Sequence, residues 1–137
     1  MDLAYGGMYV LAKLATYSAW SWLGLRLLAP RAANLGRAIG YGLARLAIGI
    51  VFGILVFLFY RTDNENLFAK YLAIYIPIRF VEWGLLAIFI LQVQAIQERR
   101  WRRILAWIAG GILASFAADL LSPEGLAGHF CVGRCLC

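Results

Sequence analysis

The run YLAIYIPIRFVEWGLLAIFILQVQAI, from Tyr71 to Ile96, carries only two charged residues, Arg79 and Glu82, and is otherwise almost wholly apolar. It is too long for a strand and lacks the period-2 alternation of one, so it reads as a helix. A helix rises about 1.5 Å per residue, and about 20 apolar residues cross a hydrocarbon core of about 30 Å. This segment therefore predicts a bilayer span. Its charges fall near the middle, where each costs several kcal/mol unless paired or hydrated.

Three further runs read the same way on either side of it. Leu3 to Leu25 contains one charge, Lys13; Ile39 to Tyr60 contains Arg45; Ile104 to Leu121 contains Asp119 near its end. The expected fold is an all-α integral membrane bundle of four transmembrane helices. The spans lie at about 5–28, 39–60, 71–96 and 104–121, within a single transmembrane domain over 1–121 and followed by a Cys-rich tail over 122–137. The first seven residues, MDLAYGG, carry only Asp2 and no basic cluster. The first span thus reads as a retained helix rather than a cleaved signal peptide. The short alternating segments of an outer-membrane barrel are absent.

Composition agrees with this reading. Of 137 residues, 64% are hydrophobic and 15% charged, against about 25% charged in ordinary globular domains. A soluble domain needs a more polar exterior than this. The net charge of +6 gathers in the connections. Arg26, Arg31, Arg37 and Arg45 lie in or beside the first, and Arg99, Arg100, Arg102 and Arg103 in the third. The second, RTDNENLFAK, balances two bases with two acids. Arginine and lysine near span ends mark the cytoplasmic side. Both termini are therefore expected to be extracytoplasmic, in a bacterial inner membrane. Arg99, Arg100, Arg102 and Arg103 are expected to meet anionic lipid headgroups, with Trp101 as an interfacial anchor; nucleic acid is not an expected partner.

Helices in lipid associate through close packing of small residues. Gly49 with Gly53, and Gly110 beside Gly111, are the expected packing positions, within one bundle or between copies. Arg45 stands before Gly53-Ile54-Leu55 as Arg103 stands before Gly111-Ile112-Leu113, a spacing that hints at a duplicated hairpin.

Chemistry concentrates in Tyr75 to Gly84. Arg79 and Glu82, three apart, are neighbours on one helix face and able to pair, and Pro77 removes a backbone donor beside them. They are expected either to form a static polar lock, holding this span to Thr16, Tyr17 or Ser18 of the first, or to line a midplane site for a proton, ion or anionic solute. Lys13 and Asp119, at similar depth, are candidates for a bridge between helices. The tail places His129, Cys131, Cys135 and Cys137 together. A disulfide with one leftover thiol is its ordinary reading in an oxidising compartment; a zinc or copper site is a weaker alternative, since H-x-C-x3-C-x-C matches no standard spacing. No other cofactor is expected. No phosphate loop, nucleophile elbow or haem-attachment motif occurs. The expected function is a small non-enzymatic membrane protein acting as an oligomer or as a subunit of a larger membrane complex, with a small transporter or channel as the alternative.

Overall fold

The computed structural model describes residues 3–59, 67–92 and 101–120. Four helices account for nearly all of them: α1 (Leu3–Leu28), α2 (Leu35–Phe59), α3 (Leu67–Gln92) and α4 (Trp101–Leu120), with a 3-10 turn at Pro30–Ala32 between the first two. Leu35–Val56, Tyr71–Leu91 and Trp101–Leu120 are long and apolar enough to cross a membrane. At 26 residues α1 matches α3 in length, but it is more polar, with Lys13, Thr16, Ser18 and Ser21 along it.

The α1–α2 corner is locally encoded. Pro30 at the first position of the 3-10 turn has no N–H to strand there. The Asn34 side-chain oxygen accepts from Gly36 N at 2.7 Å, covering one of the free donors that open α2. The helices then form a ring, α1–α2–α3–α4, with α1 and α3 also touching across it. Side-chain contacts fix the directions. Gly42 meets Ser18 and Gly110 meets Trp20, while Tyr41 bonds the Phe89 carbonyl. Each helix therefore runs antiparallel to its neighbours in the ring, as expected for short connections.

The apolar core lies toward the α1–α2 corner. Leu25, Leu28, Trp83, Leu86, Ile90, Ile104, Trp107 and Ile108 are buried there. Outward faces are apolar as well: Val51, Leu58, Ile88, Phe89 and Leu113 are exposed. A helix that is apolar outside as well as inside is built for a surrounding of hydrocarbon rather than water.

Two expectations are corrected here. Arg45 is not a flanking arginine of the first connection, because it lies inside α2 with its side chain fully buried. The duplicated-hairpin spacing does not give equivalent positions either. Arg103 is exposed in the first turn of α4, whereas Arg45 is buried mid-helix.

Candidate functional site

Five ionisable side chains, drawn from all four helices, are gathered inside the bundle. They form two tiers. In the first, Arg45 Nη2 of α2 pairs with Glu82 Oε2 of α3 at 2.5 Å. Both residues lie mid-helix, within about two turns of the Tyr41–Phe89 contact that joins the same two helices. In the second, Asp119 of α4 binds Lys13 Nζ of α1 at 2.9 Å and also pairs with Arg79 Nη2 of α3. Tyr71 donates to Asp119 Oδ2 at 2.6 Å and Tyr9 to Oδ1 at 3.2 Å. Trp83 bonds Ser115 between the same two helices, and because the helices are antiparallel, one turn outward from that contact on each brings Arg79 and Asp119 to the same level.

Burial makes these contacts costly to break. Lys13, Arg45, Arg79 and Glu82 retain 4%, 1%, 2% and 2% exposure. Aromatic faces extend the enclosure: the Arg45 guanidinium carbon lies 4.9 Å from the Tyr17 ring centroid and 5.3 Å from that of Trp83. Arg79 lies 5.0 Å from the Phe116 centroid and 5.7 Å from that of Tyr75. Desolvated cations gain most from such contacts. Beside both tiers is a cavity of about 20 Å³, lined among others by Lys13, Tyr17, Arg45, Gly49, Arg79 and Glu82.

Arg79 and Glu82 therefore do not pair with each other. Each is drawn to a partner on another helix, Arg79 to Asp119 and Glu82 to Arg45. The expected anchors on α1 behave differently too. Thr16 bonds its own helix at Ala12 O, Ser18 Oγ has no hydrogen-bond partner among the described residues, and Tyr17 contributes its ring. Pro77 lies within α3 on an exposed face, away from the network. The Lys13–Asp119 bridge is present.

Among the packing glycines, a Cβ on Gly49 would stand 3.1 Å from Arg45 Nη1, so Gly49 makes room for the Arg45–Glu82 pair. Gly53 is buried and lines the cavity. Gly110 and Gly111 receive the indoles of Trp20 and Trp83. Arg102 and Arg103 are exposed at the start of α4 beside the exposed Trp101. Arg99, Arg100, His129, Cys131, Cys135 and Cys137 lie outside the described residues.

Sequence reasoning misses Arg45 as a site residue. The available signal is its place within an apolar run, one and two helical turns before Gly49 and Gly53, which puts all three on one face. The chain matches no family model, no curated protein and no solved structure.

Proposed function

We propose that this chain is a four-span, non-enzymatic integral membrane protein whose buried charge network locks the bundle. It would work as an oligomer or as a subunit of a larger membrane complex. One observation carries the reading: every helix supplies at least one charged side chain, and each of those charges has a partner of opposite sign on another helix. In lipid there is no hydrophobic drive between helices. Buried charge pairs specify which helix sits where, because any other arrangement leaves a charge unpaired in hydrocarbon.

The same pairing supports α1 as the fourth span. Its polar character is turned inward, with Lys13 and Ser21 buried, so a helix too polar to cross alone is masked by its neighbours. Both termini are then extracytoplasmic, and the arginine-rich connections face the cytoplasm of a bacterial inner membrane. Arg102, Arg103 and Trp101 sit at headgroup level there, with Arg99 and Arg100 beside them in sequence.

The test is the protein in mild detergent. Glu82→Gln and Asp119→Asn are each expected to lose thermal stability and native assembly together. Retention of both properties by both variants would overturn the lock. The second reading, a small transporter or channel, draws on the cavity beside the two tiers. It requires proton-coupled or ion flux in liposomes that Glu82→Gln abolishes.

A further inference from the structure

An excess of positive charge stands at the α1–α2 corner. Arg26 in the last turn of α1, Arg31 in the 3-10 turn and Arg37 in the first turn of α2 are all exposed, and no acidic residue occurs anywhere from Leu3 to Tyr60. Of the acids elsewhere, Glu82 and Asp119 are paired inside the bundle. Asp2, Asp63, Glu65 and Glu124 adjoin the opposite helix ends, a helix length away. Only Glu98 belongs to the same end, and it stands in ERRWRR beside four arginines of its own. Even reaching across, it would leave two of the three corner arginines with no acid to meet.

One of these arginines is braced. The Arg26 guanidinium carbon lies 3.8 Å from the Trp22 ring centroid, and Trp22 is itself packed against the buried core. Stacking occupies the flat face of a guanidinium and leaves its N–H edge for an oxyanion. Ser18, Trp22 and Arg26 follow one four-residue ridge of α1, and the first of them meets Gly42 of α2. Because the two helices are antiparallel, about two turns outward from that contact on each brings Arg26 level with the first turn of α2. On the ridge beside Gly42, Leu35, Ile39 and Leu43 are exposed. Gly40 lies next to them, with nothing within 4 Å of where a Cβ would stand. The corner is thus amphiphilic, with a cationic end and an apolar strip leading from it along the outside of α2.

We propose that this corner binds one anionic phospholipid, its phosphodiester on the N–H edge of Arg26 and an acyl chain along Leu35, Ile39 and Leu43. Arg31 and Arg37 add charge around the phosphate, and Trp22 is a positioning residue that holds Arg26 ready. The apolar strip decides for a lipid, because a free phosphate has no use for it. A guanidinium takes two phosphate oxygens at once, which sets this site apart from the diffuse attraction of arginines to an anionic surface. The inference rests on the membrane reading, which places the corner at the cytoplasmic leaflet, and is independent of the charge lock.

The experiment titrates the full chain in neutral detergent with phosphatidylglycerol or phosphatidylcholine and follows the adducts by native mass spectrometry. One saturable phosphatidylglycerol adduct is expected, and none that saturates with phosphatidylcholine. Arg26→Gln is expected to weaken the adduct about fivefold, as loss of one surface arginine against an anionic lipid does. Arg26→Lys keeps the charge without the planar fork and is also expected to weaken it, as is Trp22→Leu, which removes the brace. The exposed Arg26→Lys keeps the test open should Trp22→Leu fail to fold. Replacing Arg102 and Arg103 together by glutamine removes more charge from the same end and is expected to leave the adduct unchanged. Losses that follow the charge removed wherever it lies, with Arg26→Lys equal to the unaltered chain, mean diffuse attraction and overturn the site. Displacement of the lipid by inorganic phosphate overturns it in favour of a free-phosphate site. Extraction of cell membranes with alkaline carbonate separates the two readings. A chain that stays with the membrane but forms no selective adduct overturns the corner site alone; release into the supernatant removes the membrane reading with it.

Discussion

At the scale of the residue, the governing fact is that a buried charge is tolerated only with its partner. Removing one member of an enclosed pair costs about 3–5 kcal/mol, whereas replacing both with apolar groups of similar volume is often neutral or better. Glu82→Gln is therefore expected to destabilise by that amount, because it leaves Arg45 buried against a weaker acceptor. Arg45→Met with Glu82→Met is expected to recover most of the loss. Denaturation by sodium dodecyl sulfate in mixed micelles measures both, and a double variant as unstable as the single one would show that the pair is not a lock. Arg79 and Glu82 are legible in the sequence because charge in the middle of an apolar run is conspicuous. Their partners are not. Intrahelical spacing offers Arg79 and Glu82 to each other, but the pairs that form cross between helices. Those pairs depend on which residues of different helices stand at the same height, which is not written in the spacing of one segment. Arg45 is hidden for a further reason: the count of arginines around the first connection claims it as a topological signal.

At the scale of the element, glycine and tryptophan act as socket and peg. Trp107 lies where a Cβ on Gly24 would come within 2.5 Å of it, and Trp83 where one on Gly111 would come within 2.7 Å. The indoles are fixed in turn: Trp20 Nε1 donates to Trp107 O and Trp107 Nε1 to Trp20 O, each at 3.1 Å, and Trp83 Nε1 donates to Ser115 Oγ at 3.1 Å. A rigid, bonded ring cannot step aside for a methyl group. Gly111→Ala and Gly24→Ala are accordingly expected to cost about 1–3 kcal/mol by overpacking. Gly84→Ala, with nothing within 4 Å of the added atom, is expected to change stability by less than about 0.5 kcal/mol. Unfolding of the three variants under one set of conditions checks the contrast, and equal losses in all three would defeat it. The number and order of the described helices are readable from hydropathy, and Gly110 and Gly111 from their small size. That their counterparts are tryptophans is not readable, because an indole suits an interfacial belt as well as an interhelical socket.

At the scale of the whole molecule, the corrected place of Arg45 bears on orientation. Without it, the side holding the first and third connections still carries Arg26, Arg31, Arg37, Arg99, Arg100, Arg102 and Arg103, against Arg61 and Lys70 beside the second and Arg134 in the tail. Seven against three is a strong bias, and it is distributed over both hairpins, so neither hairpin has to drag the other across. Topology is therefore expected to be robust to loss of one cluster. With Cys131, Cys135 and Cys137 changed to serine, a cysteine at position 64 is expected to react with a membrane-impermeant maleimide in intact cells. One at position 97 is expected to react only after the cells are opened. Replacing Arg99, Arg100, Arg102 and Arg103 by glutamine should preserve that pattern, because Arg26, Arg31 and Arg37 remain and, in the proposed lock, the paired charges inside the bundle hold all four helices in one arrangement. Replacing Arg26, Arg31 and Arg37 as well should produce labelling at both positions in a mixed population. The reverse pattern in the unaltered background, protected at 64 and labelled at 97, would invert the topology. An unlabelled position 64 beside an unlabelled position 97 would place both connections on the cytoplasmic side and remove α3 as a span, and with it the reason for five charges to be enclosed together.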